Sequence, residues 1–319
     1  MTTRTIPRIN LETDSPEDLT DALVGASCAF VTGHALPQEV RTDLLAVSRE
    51  FFDLTPSETS RVQWRGDGIW RGWQALAGNR VVEDLSASAV LERFELPSAS
   101  DTSAASNLRH SHFDHFNLWP RHPVGFAAAW TRYHASLAAL SSRIMNSISE
   151  VLKLPTSDLG KWCENHHGSL VVNNYLPQPE EPPKGTLRQR AHTDLGGLTV
   201  LWADEAPGGL EVRLPAHDEW TPVEFRDGDL LVQPGDMLAR WTNGVLRANI
   251  HRVVNPPPGL GSSSRRISIV YFHYPSLDTD IVPAESCVST DCPRMPPMHA
   301  GEHLRRAVHD PKRRTDPQV

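Results

Sequence analysis

Apolar positions divide the chain into two regimes, one with helical spacing and one with short β-prone runs. Ser15, Pro16, Glu17 and Asp18 supply a capping serine, a proline for the first turn and acids beside it, which predicts a helix over residues 16–24. Residues 28–32 are apolar and β-prone and end at Gly33, as a buried strand would. Val40, Leu44, Val47 and Phe51 share one face of a second helix over about 37–53, and residues 55–58 open a new turn. The longest helix is expected over 124–153. Its Trp130, Tyr133, Leu137, Leu140, Ile144, Ile148 and Val151 recur every three or four residues, the pattern of a helix laid on a sheet.

Past Gly168 the period shortens. Runs at 169–176, 198–203, 210–213, 230–233, 237–241, 248–254 and 267–274 are separated by Pro, Gly, Asp and Asn turns. Many short strands at near-regular spacing predict a mostly β core with flanking helices, a jelly roll or barrel with a ligand site in its mouth. The chain reads as one unit over 1–319. It divides into an N-terminal helical and strand region (1–120), the long helix and connector (121–167), the jelly-roll core (168–280) and a C-terminal tail (281–319). Residues 84–117, rich in Ser, Ala and Asn around a β-prone core at 90–96, carry no clear pattern.

Composition narrows the classes of function. A net charge of -8 leaves no basic face for nucleic acid outside residues 305–314, which read as a solvated terminus. No apolar run reaches signal-peptide or membrane-spanning length, and four cysteines are too few and too scattered for a disulfide framework. A cytoplasmic enzyme-sized domain is expected, with no membrane and no obligate protein partner.

Candidate chemistry lies in the β-rich half. In His192-Thr193-Asp194, an imidazole and a carboxylate two residues apart on extended backbone point to one face. With His251 from a later strand they match the 2-His-1-carboxylate facial set of a non-haem iron(II), which leaves coordination positions open. With 15 histidines in the chain, this spacing also arises by chance. His112 and Asp114 repeat it, crowded by His110 and His115, but precede the long helix. Downstream, Arg266 and Ser268 alternate with Ile267 and Ile269 on an otherwise apolar strand. A buried arginine requires an anion, and its fork suits a carboxylate. Asn173 and Tyr175 form a third pair with the same alternation.

These three pairs, in this order, resemble the isopenicillin N synthase-like branch of the iron(II)/2-oxoglutarate-dependent dioxygenases. The likeness extends to residues 6–11, 30–34, 51–54, the Asn117-Leu118-Trp119-Pro120 turn, and the glycine-containing turns around 209, 235 and 244. It departs where Gly33 precedes His34 and where Leu176 stands for a proline. The resemblance implies a double-stranded β-helix with iron on His192, Asp194 and His251. It implies that Arg266 and Ser268 bind 2-oxoglutarate, with Tyr175 and Asn173 assisting. Iron(II), 2-oxoglutarate and dioxygen would then oxidise a small-molecule substrate by hydroxylation, desaturation or ring closure, releasing succinate and carbon dioxide. A 2-oxoglutarate-independent oxidase and an inactive metal-binding jelly roll are the alternatives. In such sites the N-terminal region and C-terminal tail close over the barrel mouth. Trp70, Arg71 and Trp73, together with Trp202 and Phe272, are the candidate substrate contacts, with core tryptophans as the alternative for the first group.

Overall fold

The computed structural model describes residues 5–64, 66, 70–77, 80–82, 91–97, 117–159, 162–163, 166–178, 182, 185–216 and 219–309. In chain order the first elements are β1 (Arg8–Asn10), α1 (Pro16–Ala26), β2 (Ala29–Thr32), α2 (Gln38–Phe52), α3 (Pro56–Thr59), β3 (Gly72–Ala77), β4 (Arg80–Val82), β5 (Leu91–Leu96), α4 (Phe126–Leu152) and α5 (Thr156–Leu159). The β-rich half adds β6 (His167–Tyr175), β7 (Gln189–His192), β8 (Leu198–Ala203), β9 (Leu210–Arg213), β10 (Trp220–Pro222), β11 (Leu230–Pro234), α6 (Asp236–Trp241), β12 (Ile250–Val253) and β13 (Arg266–Tyr274). A short pair, β14 (Asp280–Ile281) and β15 (Met298–His299), leads into α7 (Ala300–His309).

Two sheets make the jelly roll. The larger has nine strands in the order β1-β2-β11-β8-β13-β6-β5-β3-β4, and the smaller has four in the order β10-β9-β12-β7. Among the described residues they meet through side chains, without a closed ring of backbone hydrogen bonds.

Alternation along the large sheet sorts its residues between two cores. Leu170, Val172, Leu198, Val200, Ile267, Ile269 and Tyr271 face outward, where Trp130, Tyr133, Leu137, Ile144 and Ile148 of α4 cover them. Val171, Tyr175, Leu201 and Val270 face inward and pack with Leu210, Val212 and Val253 of the small sheet. Arg266 and Ser268 share the inward phase of Val270, because successive strand residues point to opposite faces. α1 begins as its sequence predicts: Asp18 N donates to Ser15 Oγ at 3.2 Å, and Ser15 N donates to Asp18 Oδ2 at 2.9 Å.

Some elements differ from expectation. Residues 237–241 form the helix α6, because the backbone N–H groups of Asp236 and Met237 donate to Asp194 O at 2.8 Å and Gly196 O at 2.9 Å, with no neighbouring strand to serve. Gly235 allows this close fit, since a Cβ there would lie 2.5 Å from Gly196 O and 2.8 Å from Asp194 O. The expected solvated terminus at 305–314 instead begins inside α7, which buries Ala300, Leu304 and Ala307. Within the β-prone core at 90–96, Leu91–Leu96 form strand β5, paired with β3 and β6. His110, His112, Asp114 and His115 lie outside the described residues. No described helix is long and apolar enough to cross a membrane.

Beneath α4 lies a group of buried histidines. His273 Nδ1 bonds Ser141 Oγ at 3.0 Å and its ring stacks on His166 at 4.5 Å, while His134 Nε2 bonds Gly168 O at 3.1 Å. Burial above all pushes His273 down to about 3 and His134 and His167 down to about 4. These rings fold neutral, whereas the unfolded chain takes up their protons below about pH 6.5. Their contribution is therefore complete above that pH and is lost as pH falls toward 4, on the order of several kcal/mol together. Urea midpoints measured from pH 7 to 4.5 should fall steeply, and His273→Asn should flatten the slope. A midpoint independent of pH across that range contradicts the account.

Candidate active site

β7 and β12 run antiparallel with His192 directly opposite His251, so the two imidazoles leave neighbouring strands side by side, with ring centroids 4.2 Å apart. Asp194 follows two residues after His192, on the loop clamped by α6. Its Oδ1 lies 3.9 Å from His192 Nε2 and 3.7 Å from His251 Nε2. One donor atom from each residue falls within 4.8 Å of the others, which makes the set competent to hold a metal.

Hydrogen bonds orient each of these groups. His192 Nδ1 pairs with Arg190 O at 2.8 Å and His251 Nδ1 with Asn249 O at 3.2 Å. A carbonyl only accepts, so both Nδ1 atoms donate and both Nε2 atoms are turned toward Asp194. Gln189 Nε2 stands 3.2 Å from His192 Nε2. Thr199 Oγ1 donates to Asp194 Oδ2 at 2.6 Å and leaves Oδ1 toward the histidines. Two imidazoles offering Nε2 and one carboxylate fit a divalent ion such as iron(II).

On the facing wall, β13 and β6 place Arg266 opposite Tyr175 and Ser268 opposite Asn173. Asn173 Nδ2 donates to Ser268 Oγ at 3.3 Å. The Arg266 guanidinium lies 5.4 Å from the Tyr175 ring centre. A second arginine stands beside it. Arg188 is wholly buried, with its guanidinium 5.6 Å from the same ring. It donates to Ser264 O and Leu176 O, and its Nε and Nη1 have no partner among the described residues. Burial, and then the neighbouring Arg266, pull Arg188 down to about 10. Asp204 is the acid both arginines feel, and it also sits 3.8 Å from Arg49. Two buried guanidiniums sharing one carboxylate fit an anionic ligand such as a 2-oxo diacid.

A cavity of about 750 Å³ opens over this region and exposes His192 and Asp194. Its walls include Leu76, Arg93 and Glu95 from the N-terminal strands, Phe272 from β13, and Met298, Glu302 and Arg306 from the C-terminal end. Among the candidate substrate contacts, Trp70 and Phe272 line it. The other three do not. Trp73 is a core residue on the helix side whose Nε1 donates to Glu92 Oε2 at 2.7 Å. Trp202 shares the outward phase of Val200 and packs under the Arg41 guanidinium at 5.0 Å. Arg71 is buried away from the cavity lining. Thr199, Arg188 and Arg93 carry no expectation from sequence. Arg188 shares the phase of the ligand segment and Arg93 interrupts an apolar run, and both were signals of a polar interior.

A jelly roll that gathers two histidines and an aspartate at its mouth, with buried arginines behind, is the architecture of a mononuclear non-haem iron oxygenase. Residues 167–275 match the model of the 2OG-Fe(II) oxygenase superfamily. The chain is 31% identical to proline hydroxylase buaE of Petromyces alliaceus over 82% of its own length and 81% of that protein. It is 27% identical to the validamycin A dioxygenase of Streptomyces hygroscopicus subsp. limoneus, covering 90% and 79% of the two chains. The crystal structure of JOX2 in complex with 2OG, Fe and JA superposes with a TM-score of 0.77 at 28% identity, covering 98% and 86%. The chain belongs to the 2OG-Fe(II) oxygenase superfamily and is an iron(II)- and 2-oxoglutarate-dependent dioxygenase acting on a small molecule. This is consistent with the isopenicillin N synthase-like branch.

Proposed function

We propose that His192, Asp194 and His251 are the iron ligands, and that Arg266 and Ser268, with Tyr175 and Asn173, receive the distal carboxylate of 2-oxoglutarate. The reading rests chiefly on one observation: both histidines set Nδ1 against a backbone carbonyl and turn Nε2 toward Asp194 Oδ1. Bound iron(II) supplies dioxygen activation coupled to conversion of 2-oxoglutarate to succinate and carbon dioxide, and so the oxidising power for a C–H bond. The chain's own residues do the rest. Thr199 holds Asp194 in one rotamer, and α6 holds its backbone. Arg266 neutralises the distal carboxylate, and Phe272 and Trp70 keep water from the substrate face.

The substrate is a small metabolite that fits the cavity and undergoes hydroxylation, desaturation or ring closure within specialised metabolism. The whole chain acts as one oxygenase unit in the cytoplasm, a compartment in keeping with its four free cysteines, and it uses neither nucleic acid nor a protein partner. With iron(II), 2-oxoglutarate and oxygen, the purified protein should form succinate and carbon dioxide in equal amounts, at a rate raised several-fold by its substrate. Substrate-dependent oxygen uptake without succinate would move the reading to a 2-oxoglutarate-independent oxidase. No uptake across a broad panel would move it to an inactive metal-binding jelly roll.

A further inference from the structure

One row of polar side chains crosses the inner face of the large sheet from strand to strand. Gln74 stands opposite Arg93, Arg93 opposite Asn173, and Asn173 opposite Ser268. The Ser268 end is the proposed cosubstrate pocket. The Arg93 end opens into the cavity that also exposes His192 and Asp194.

Donors at that end are unmatched. Gln74 is 2% exposed and its Nε2 has no hydrogen-bond partner among the described residues, and Arg93 Nε has none either. Most other charges on the cavity wall are already engaged. Glu302 pairs with Arg306, Asp236 lies 3.5 Å from His303, Arg240 donates to Pro296 O at 2.8 Å, and Glu95 accepts from Ser169 Oγ at 2.8 Å. Arg93 feels the charge of Glu95, two residues along the same face, but closes no ion pair within 4 Å among the described residues. A guanidinium beside an unmatched amide N–H is a receptor for a carboxylate, since each of these donors gains most from a charged acceptor.

We propose that Arg93, with Gln74 beside it, binds a carboxylate of the substrate, so that the enzyme acts on carboxylic acids held by that end. This rests on the assignment of iron and 2-oxoglutarate above. Strands lie about 4.8 Å apart, so β5 and β13, two strands from each other, put the backbones of Arg93 and Arg266 on the order of 10 Å apart. They also occupy different rows, Arg266 being opposite Tyr175 and Arg93 opposite Asn173. The two arginines thus serve separate anions, one on the cosubstrate and one on the substrate.

The test uses full-length protein loaded with manganese(II) and N-oxalylglycine, an inert counterpart of 2-oxoglutarate. Thermal shift and calorimetry compare L-proline, phenylacetate and indole-3-acetate, each against its own amide. At least one acid should bind while its amide does not. Arg93→Gln should weaken that acid at least tenfold, Arg93→Lys should retain part of the affinity, and Gln74→Leu, a milder change, should weaken it several-fold. Titration of the iron-loaded Arg93→Gln protein with 2-oxoglutarate should match the parent within twofold. The proposal is overturned if acids and amides bind alike, if none of the acids binds, or if Arg93→Gln weakens 2-oxoglutarate as much as the acid. A parent protein that fails to bind 2-oxoglutarate strikes the cofactor assignment instead.

Discussion

Replacing His251 with alanine is expected to take bound iron from about one per chain to near zero and turnover down by about a thousandfold or more, because two ligands cannot hold a labile divalent ion at a mouth open to water. The effect is large because nothing nearby can substitute. Asp194 Oδ1 would keep only His192 as a partner, and no other described histidine, cysteine or acid completes the group. Metal analysis after gel filtration checks it, with circular dichroism to show that β12 still pairs with β7 and β9. Unchanged iron content would place the metal elsewhere, with His112 and Asp114 the next residues to replace.

Arg266→Gln should leave iron binding nearly intact while 2-oxoglutarate affinity collapses. Removing one partner of a buried charge pair costs about 3–5 kcal/mol, a factor of some hundreds to thousands in Kd. Arg188 should not rescue it, since two of its donors are committed to backbone carbonyls. An anaerobic titration of the iron-loaded protein, followed by the visible band that chelation of the metal produces, separates the two affinities. Equal 2-oxoglutarate affinity in the variant would remove Arg266 from the pocket.

Much of this site was legible in the sequence because strands repeat every two residues. Alternation alone put Arg266 and Ser268 on one face and Ile267 and Ile269 on the other, and the structure keeps that division. The three metal-ligand candidates could be grouped because two lie two residues apart and the third sits on an apolar strand. Where the reading failed, the deciding contacts were distant in sequence. Residues 237–241 are a short apolar run that fits a strand or a helix equally well, and the choice was made by the carbonyls of Asp194 and Gly196. Gln189-Arg190-Ala191-His192 is not β-prone; it becomes a strand because β12 pairs with it. The Trp70, Arg71 and Trp73 cluster looked like one surface, yet Trp70 lines the cavity while Trp73 packs in the core on the helix side. Arg93 drew no notice because its importance comes from Gln74 and Asn173, 19 and 80 positions away.

The metal-ligand candidates belong to the small sheet and the loop after it, whereas the cosubstrate candidates belong to the large sheet. A 2-oxo acid touching both is a brace between two walls otherwise joined by apolar packing and by a hydrogen bond from Tyr175 to Gln189. Bracing is reciprocal: whatever factor bound metal adds to the affinity for the 2-oxo acid, the acid must add to the affinity for metal. An enzyme built this way takes up each more readily once the other is bound, so its readiness depends on two supplies together, an iron pool and a keto acid of central carbon metabolism.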